Sequence, residues 1–335
     1  MLRRNEGGTV ALDPIDLHRQ AVVVDAHCDT ILHVARGRRR LGVPSDEGHL
    51  DLPRLLKGGV DVQFFALYIE PEYKPDRGLK RVLEHLDTFY QELEDNHDAL
   101  FLITDKGQLP RAGQQDRVGA VLAIEGGEAI GDSLAALRAL YRLGVRSLGL
   151  TWNQRNLIAD GVGESRSGGG LTNFGLKVVK ECNRLGILID VSHLSVRGFW
   201  DVLEASEQPV IASHSNARAM CDHPRNLDDD QIKALAAAGG VMGMNFAPAF
   251  LRADGKATLQ DVIRHISYIA ELVGPDHVGL GSDFDGIRNT PRGLEDVSRL
   301  PALTEALLEH GFSPAEVRKI LGENFLRVMD QVWRS

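Results

Sequence analysis

Eight apolar runs of strand length recur along this chain, and most are separated by stretches whose apolar residues repeat with helical spacing. The runs cover residues 21–29, 60–69, 118–127, 144–152, 186–193, 209–215, 239–246 and 277–286. Strands that alternate with helices pair in parallel, because each crossover returns the chain to the same end of the sheet. Eight such units predict a closed (β/α)8 barrel with its active site at the C-terminal ends of the strands. An open doubly wound sheet is the alternative, but no G-x-G-x-x-G follows the first run. Helices are predicted over 133–144, 173–186 with Asn173 as N-cap, 228–240 and 258–274, and residues 313–333 read as two closing helices. At 335 residues the chain is long for an ordinary domain but suits a barrel. No internal repeat or long linker divides it. It therefore reads as one domain over 1–335, with roughly the first 20 residues peripheral.

The ends of five runs carry metal-capable side chains: His27 with Asp29, Glu125, His193, His214 and Asp283. Alternate strand residues share a face, so counting back by twos gives each its neighbours. Val23 and Asp25 precede His27, Val121 and Ala123 precede Glu125, and Ile187, Ile189 and Val191 precede His193. Val210 and Ala212 precede His214, and Gly279 and Gly281 precede Asp283. A mostly apolar or small face that turns polar at its last residue is expected to present that residue at one common barrel rim. Singly, each is an ordinary turn, cap or hydrogen-bonded residue; together they point to a site. Three imidazoles and three carboxylates suit zinc or another borderline divalent ion and are poor for calcium. Six donors exceed the roughly four that one ion takes, which points to two ions sharing a carboxylate.

Cys28 has the opposite parity and reads as packing, and His33, His49, His223 and His277 lack the strand-end setting. Asp25 lies one step deeper, either orienting a histidine or serving as a buried structural partner. The glycine-rich stretch 161–170 reads as a flexible loop rather than a phosphate cradle. The net charge of -9, without a basic block, argues against nucleic-acid binding. Three scattered cysteines suit a reducing compartment. The N-terminal residues lack an apolar signal core, and no window approaches the roughly 18 apolar residues of a membrane span. A cytoplasmic protein without membrane contact is the expectation.

Taken in order, "VVDAHCDT", "AIEGGE", "IDVSHLS", "IASHSNARA", "HPRNLDDDQI" and "GLGSDFDG" resemble the renal (membrane) dipeptidase family, zinc dipeptidases of the amidohydrolase-like superfamily. The resemblance spans residues 20 to 330 and implies a barrel with two Zn2+ ions. It implies that His27 and Asp29 bind one ion, that His193 and His214 bind the other, and that Glu125 bridges both together with water or hydroxide. It also implies that Asp283 is the acid/base carboxylate, that Arg225 contacts a dipeptide substrate, and that the protein is a homodimer. Hydrolysis of L-Xaa-L-Xaa or L-Xaa-D-Xaa dipeptides by an activated hydroxide is the implied reaction. Two departures stand out. Trp152 replaces a histidine that helps hold substrate in better-known members, and an indole supplies only one donor. Cys28 replaces a frequent asparagine on the face turned away. A lactonase or cyclic amidase with the same metal shell is the main rival. A nucleobase deaminase would carry an H-x-E and P-C-x-x-C signature, which this chain lacks. A non-catalytic metal- or peptide-binding barrel would not need Asp283.

Overall fold

A computed structural model describes residues 13–110 and 117–335. The nine strands are β1 (Val24–Cys28), β2 (Val62–Tyr68), β3 (Leu100–Leu102), β4 (Val118–Glu125), β5 (Val145–Gly149), β6 (Leu188–Asp190), β7 (Ile211–Ser215), β8 (Val241–Met244) and β9 (Val278–Leu280). All pair in parallel. Eight of them close a ring in which β2 bonds β4 and β9 returns to β1. This is the (β/α)8 barrel the alternation predicted. The extra strand β3 was not anticipated, because three residues carry no periodic signal. It lies beside Val118–Ala120 of β4, on the same edge that β5 follows from Leu122 onward.

Two apolar layers explain why the strands read as unbroken apolar runs: both faces are covered. One face packs on the surrounding helices, burying residues such as Val23, Ile189 and Ala212 with Leu17, Phe89 and Phe199. The other fills the barrel, where Val24, Ala26, Phe64, Val121, Ala123, Leu188 and Ile211 meet Phe325, Val328, Met329 and Trp333. Those last residues belong to the C-terminal segment. It was expected as two helices, but it runs as one helical rod, Pro314–Arg318 and Asn324–Val332 joined through a π-turn at Lys319–Glu323. The rod closes the bottom of the barrel. Gly322 permits the approach, since a Cβ there would sit 2.3 Å from the Val22 carbonyl oxygen.

Of the predicted helices, 134–142, 173–185, 229–237 and 259–273 are present. The N-cap of the second is Thr172, not Asn173; its hydroxyl accepts from Gly175 N at 2.9 Å. The helix Pro14–Gln20 buries Leu17 and His18. His18 bonds Thr304 Oγ1 at 2.7 Å and the Gly58 carbonyl at 2.8 Å, which ties the start of the described chain to the barrel. No helix among the described residues is long and apolar enough to cross a membrane.

The 18-residue helix Gly78–Asp95 buries His85 with neither ring nitrogen hydrogen-bonded. Burial, and then the Arg81 guanidinium, lower its pKa to about 4. Its charged form is disfavoured in the folded state, so stability is full above the free-histidine pKa and falls as pH drops from about 6.5 towards 4. Urea unfolding at pH 7.5 and pH 4.5 should therefore show a loss in the parent that exceeds the loss in His85→Leu by roughly 2 kcal/mol.

Candidate active site

The six side chains picked out at the strand ends converge at the top of the barrel, but by three different routes. Glu125 ends β4 on the barrel-facing side, as alternation requires, following Val121 and Ala123. His27 and His214 do not follow alternation, because Val23, Val210 and Ala212 face the helices. A one-residue slip in register rotates each inward. Asp25 faces Gln63 while Cys28 faces Phe65, and Ala212 faces Met242 while Ser215 faces Met244. His193 and Asp283 lie beyond the ends of β6 and β9 and adopt left-handed backbone at φ 67° and 63°. Such backbone is uncommon outside glycine and concentrates at functional sites. The strand parity inferred for His27, His193 and His214 is therefore corrected: a plain strand would have turned these rings to the helix layer.

The convergence is tight. His193 Nε2 and His214 Nε2 lie 2.9 Å apart, with Glu125 Oε1 at 3.0 Å and 3.8 Å from them. The other oxygen, Glu125 Oε2, lies 3.6 Å from His27 Nε2, which is also 3.3 Å from Asp29 Oδ2 and 3.9 Å from Asp283 Oδ1. A Cβ on Gly286 would meet Asp29 Oδ2 at 2.2 Å and Asp283 Oδ1 at 2.4 Å, so only glycine lets both carboxylates close in.

The electrostatics fit a cation. Burial raises the pKa of Glu125 to about 8, and Asp29 and Asp283 push it the same way. Burial likewise raises Asp283 to about 6, with Asp29 adding to it. Burial opposes charge on His27, yet Glu125, Asp29 and Asp283 together lift it to about 10. Negative charge is thus in excess at one point. Burial, and then Arg225 and His27, lower His193 well below the ordinary histidine value. Burial, and then His27 and Arg225, do the same to His214. Both rings are neutral, the form a metal needs.

The tautomers complete the fit. His193 Nδ1 donates to Asn153 Oδ1 at 2.8 Å, which leaves Nε2 bare. The Ser213 hydroxyl is donated to Asp190 Oδ2, so it accepts from His214 Nδ1 at 2.7 Å, and His214 Nε2 is bare as well. Two nitrogen lone pairs and a carboxylate oxygen facing one another at these distances form a donor set that fits a cation.

A cavity of about 260 Å³ opens over this cluster. Asp29, Glu125, His193 and Asp283 form part of its lining, with Arg225, Trp152, Tyr68 and Phe250 around them. Arg225 is buried; its NH2 group donates to the His214 carbonyl at 3.1 Å, and its Nε has no hydrogen-bond partner. Trp152 packs on Tyr68 and His193 with ring centroids 5.4 Å and 5.9 Å away.

The model of the membrane dipeptidase family, peptidase family M19, matches residues 14–334. The chain belongs to the membrane dipeptidase family. Among solved structures, the dipeptidase AC, a metallopeptidase of family M19, is 34% identical with a TM-score of 0.88, covering 94% of this chain and all of its own. A metallopeptidase from Rhodobacter sphaeroides, liganded with a phosphinate mimic of the dipeptide L-Ala-D-Ala, is 32% identical at TM-score 0.88 over 94% of this chain and 100% of its own. An amidohydrolase from Pseudomonas aeruginosa is 26% identical at TM-score 0.83 over 96% and 99%. The chain is a metal-dependent peptidase acting on dipeptides.

Around this dipeptidase centre lie residues that were not singled out from the sequence. Asp190 Oδ1 accepts from Ser192 N and Ser213 N, both at 2.9 Å, so one carboxylate ties down the residues preceding His193 and His214. Asn245 donates to Asp283 Oδ2 at 2.8 Å, and Asn153 orients His193. Asp190 stood within "IDVSH" and Asn153 beside Trp152, but nothing local marked either as a partner of a histidine on another element. Asp25, left between two readings, grips Ser282 rather than a histidine; it accepts from Ser282 N at 2.7 Å and from its hydroxyl at 2.6 Å. Cys28 is buried in the helix-facing layer. His33, His49, His223 and His277 bond backbone groups outside the cluster. The stretch 161–170 contains a 3₁₀ segment at Val162–Ser167, tied down by Ser167 donating to Asp160.

Loss of an outer partner of a metal-binding histidine typically weakens binding about 10–100-fold. Ser213→Ala and Asp190→Asn should therefore raise the Kd for a divalent ion held by His214 by that factor in a chelator competition. Ser213→Thr, which keeps the hydroxyl, should restore it.

Proposed function

We propose that this chain hydrolyses L-Xaa-L-Xaa and L-Xaa-D-Xaa dipeptides to free amino acids at a centre of two zinc ions. The observation that carries the reading is the division of Glu125. One of its oxygens lies with His193 and His214, the other with His27 and Asp29. On this reading His27 and Asp29 hold one ion, His193 and His214 the other, and Glu125 both. The donor set of nitrogen and carboxylate oxygen favours zinc. The dipeptide mimic carried by the Rhodobacter sphaeroides relative supports the substrate class and the acceptance of a D-residue at the second position.

Bound divalent ions supply an activated water at neutral pH and polarise the scissile carbonyl. The chain's own residues do the rest. Asp283 is held at Oδ2 by Asn245, leaving Oδ1 towards the cluster. It takes the proton released on attack and delivers it to the leaving amine, a task suited to a carboxyl raised towards working pH. Arg225 has an unpaired buried Nε–H, and its planar fork matches the C-terminal carboxylate of a dipeptide. Trp152 forms the wall beside His193. Charge pairing at Arg225 explains selection for dipeptides, since a longer peptide would offer a neutral amide there.

The first test is hydrolysis of a library of both dipeptide classes by zinc-loaded protein; no turnover of any member would overturn the reading. The second compares a good dipeptide with its C-terminal amide. A buried charge left unpaired costs about 2–5 kcal/mol, so the parent should prefer the free acid by at least about 30-fold in kcat/KM. Arg225→Met should lose most of that preference while still binding metal. We also propose one barrel domain spanning the chain, a homodimer, and a cytoplasmic location without nucleic-acid or membrane partners. The three buried, unpaired cysteines support a reducing compartment, and light scattering of purified protein tests the dimer.

A further inference from the structure

We infer that this chain selects dipeptides with apolar side chains over those carrying an aspartate or glutamate side chain. The inference rests on the dipeptidase reading and concerns the walls of the same cavity. Beside the metal-capable cluster its lining is largely apolar or aromatic, with Leu32, Tyr68, Trp152, Phe250 and Ile287 forming a collar that Asn153 and Asp285 interrupt. At about 260 Å³ the cavity falls below the roughly 300–1,000 Å³ of pockets for drug-sized ligands, so a side chain that enters it lies against this collar. Arg225 is the one lysine or arginine in the cavity lining among the described residues. On the reading above, the substrate's own C-terminus engages it.

Among the described residues, exposed Arg288 follows Ile287 of the lining, and two other cations near the cavity wall are committed elsewhere. Lys74 stands behind the aromatic wall, its Nζ 5.1 Å from the Trp152 ring centre and 5.7 Å from that of Tyr68. Glu128 Oε1 at 3.3 Å and Gln154 Oε1 at 3.2 Å hold it, and its side chain is only 9% exposed. Arg39 is bound to the buried carboxylate of Asp285. Lys74 thus braces Trp152 and Tyr68 from behind and does not open onto the substrate. A side-chain carboxylate entering the cavity would lose water and meet aromatic faces that carry negative potential, and the Tyr68 hydroxyl, the Trp152 indole N–H and the Asn153 amide in the lining are neutral donors that replace that water only in part. An apolar side chain loses nothing on entry and gains contact with the collar.

The test is kcat/KM for matched substrates of the zinc-loaded protein: L-Ala-L-Leu, L-Ala-L-Asn and L-Ala-L-Asp, the same three with a D-residue second, and the three with the varied residue first. Leucine substrates should exceed aspartate substrates by at least about 10²-fold at both positions, with the isosteric, uncharged asparagine between them. Lys74→Met should leave the leucine-to-aspartate ratio within about threefold of the parent value. An aspartate substrate within threefold of its leucine counterpart at either position would overturn the inference. Loss of that aspartate activity in Lys74→Met would then identify Lys74 as the group that reads it. Absence of turnover for every dipeptide would instead overturn the dipeptidase reading, and this inference with it.

Discussion

Replacing His214 by alanine is expected to leave the chain about one divalent ion short of the parent and to lower kcat by more than about 10³-fold. His214 Nε2 is 2.9 Å from His193 Nε2 and 3.8 Å from Glu125 Oε1. Its removal takes away one of three donors that converge on a single point. His193→Ala should weaken the same position, and Asp29→Ala the other, since Asp29 lies with His27 on the far oxygen of Glu125. Elemental analysis after reconstitution reads the stoichiometry directly: about two ions in the parent, about one in each variant. A parent that binds none would remove the metal centre from the reading altogether. Circular dichroism guards against simple unfolding, because the barrel core does not depend on His214.

Asp283→Asn should behave differently. It is expected to lower kcat by about 10²–10⁴-fold, the range for loss of a general acid or base, while the metal content stays near the parent value. The amide keeps the size of the side chain, and its oxygen can still accept the 2.8 Å bond from Asn245. It cannot take up a proton at working pH. Full turnover in this variant would show that the proton moves by another route. Loss of metal would show instead that Asp283 is chiefly a ligand, a role its 3.9 Å distance to His27 Nε2 leaves within geometric reach.

Much of the site was legible because its chemistry is carried by residue types at the ends of recognisable strands. Glu125 is the simplest case: strand alternation alone turns it into the barrel. Asn245, Asn153 and Asp190 were not legible. Each acts on a residue from another element, at sequence separations of 38, 40 and 23 residues. Their side chains differ in no local way from those of surface turns. Strand β3 and the helix Gly78–Asp95 were missed for different reasons. The strand is too short to show a period. The helix was not assigned, although its apolar residues recur at helical spacing.

What the sequence determined by itself was the architecture and the six metal-capable side chains that the structure brings together at the barrel top. Apolar runs of strand length, alternating with amphipathic helices, leave a parallel barrel as the arrangement that buries both faces of every strand. Six metal-capable side chains at the strand ends then share one rim. Only the tertiary structure decided how those side chains point. His27 and His214 stand on strands whose alternate residues face the helices, and a one-residue slip against β2 or β8 turns them inward. That slip depends on pairing with a neighbouring strand, which no local pattern encodes. His193 and Asp283 take left-handed backbone, which no β-carbon favours, and the surrounding contacts hold them there. Asp190 accepts from Ser192 N, before His193, and from Ser213 N on the neighbouring strand, and Asp25 accepts from both the N–H and the hydroxyl of Ser282, before Asp283. A propensity argument assigns such residues to ordinary strand. The packed barrel overrides it, because the bonds that hold the strained turns form only when all the strands are in place.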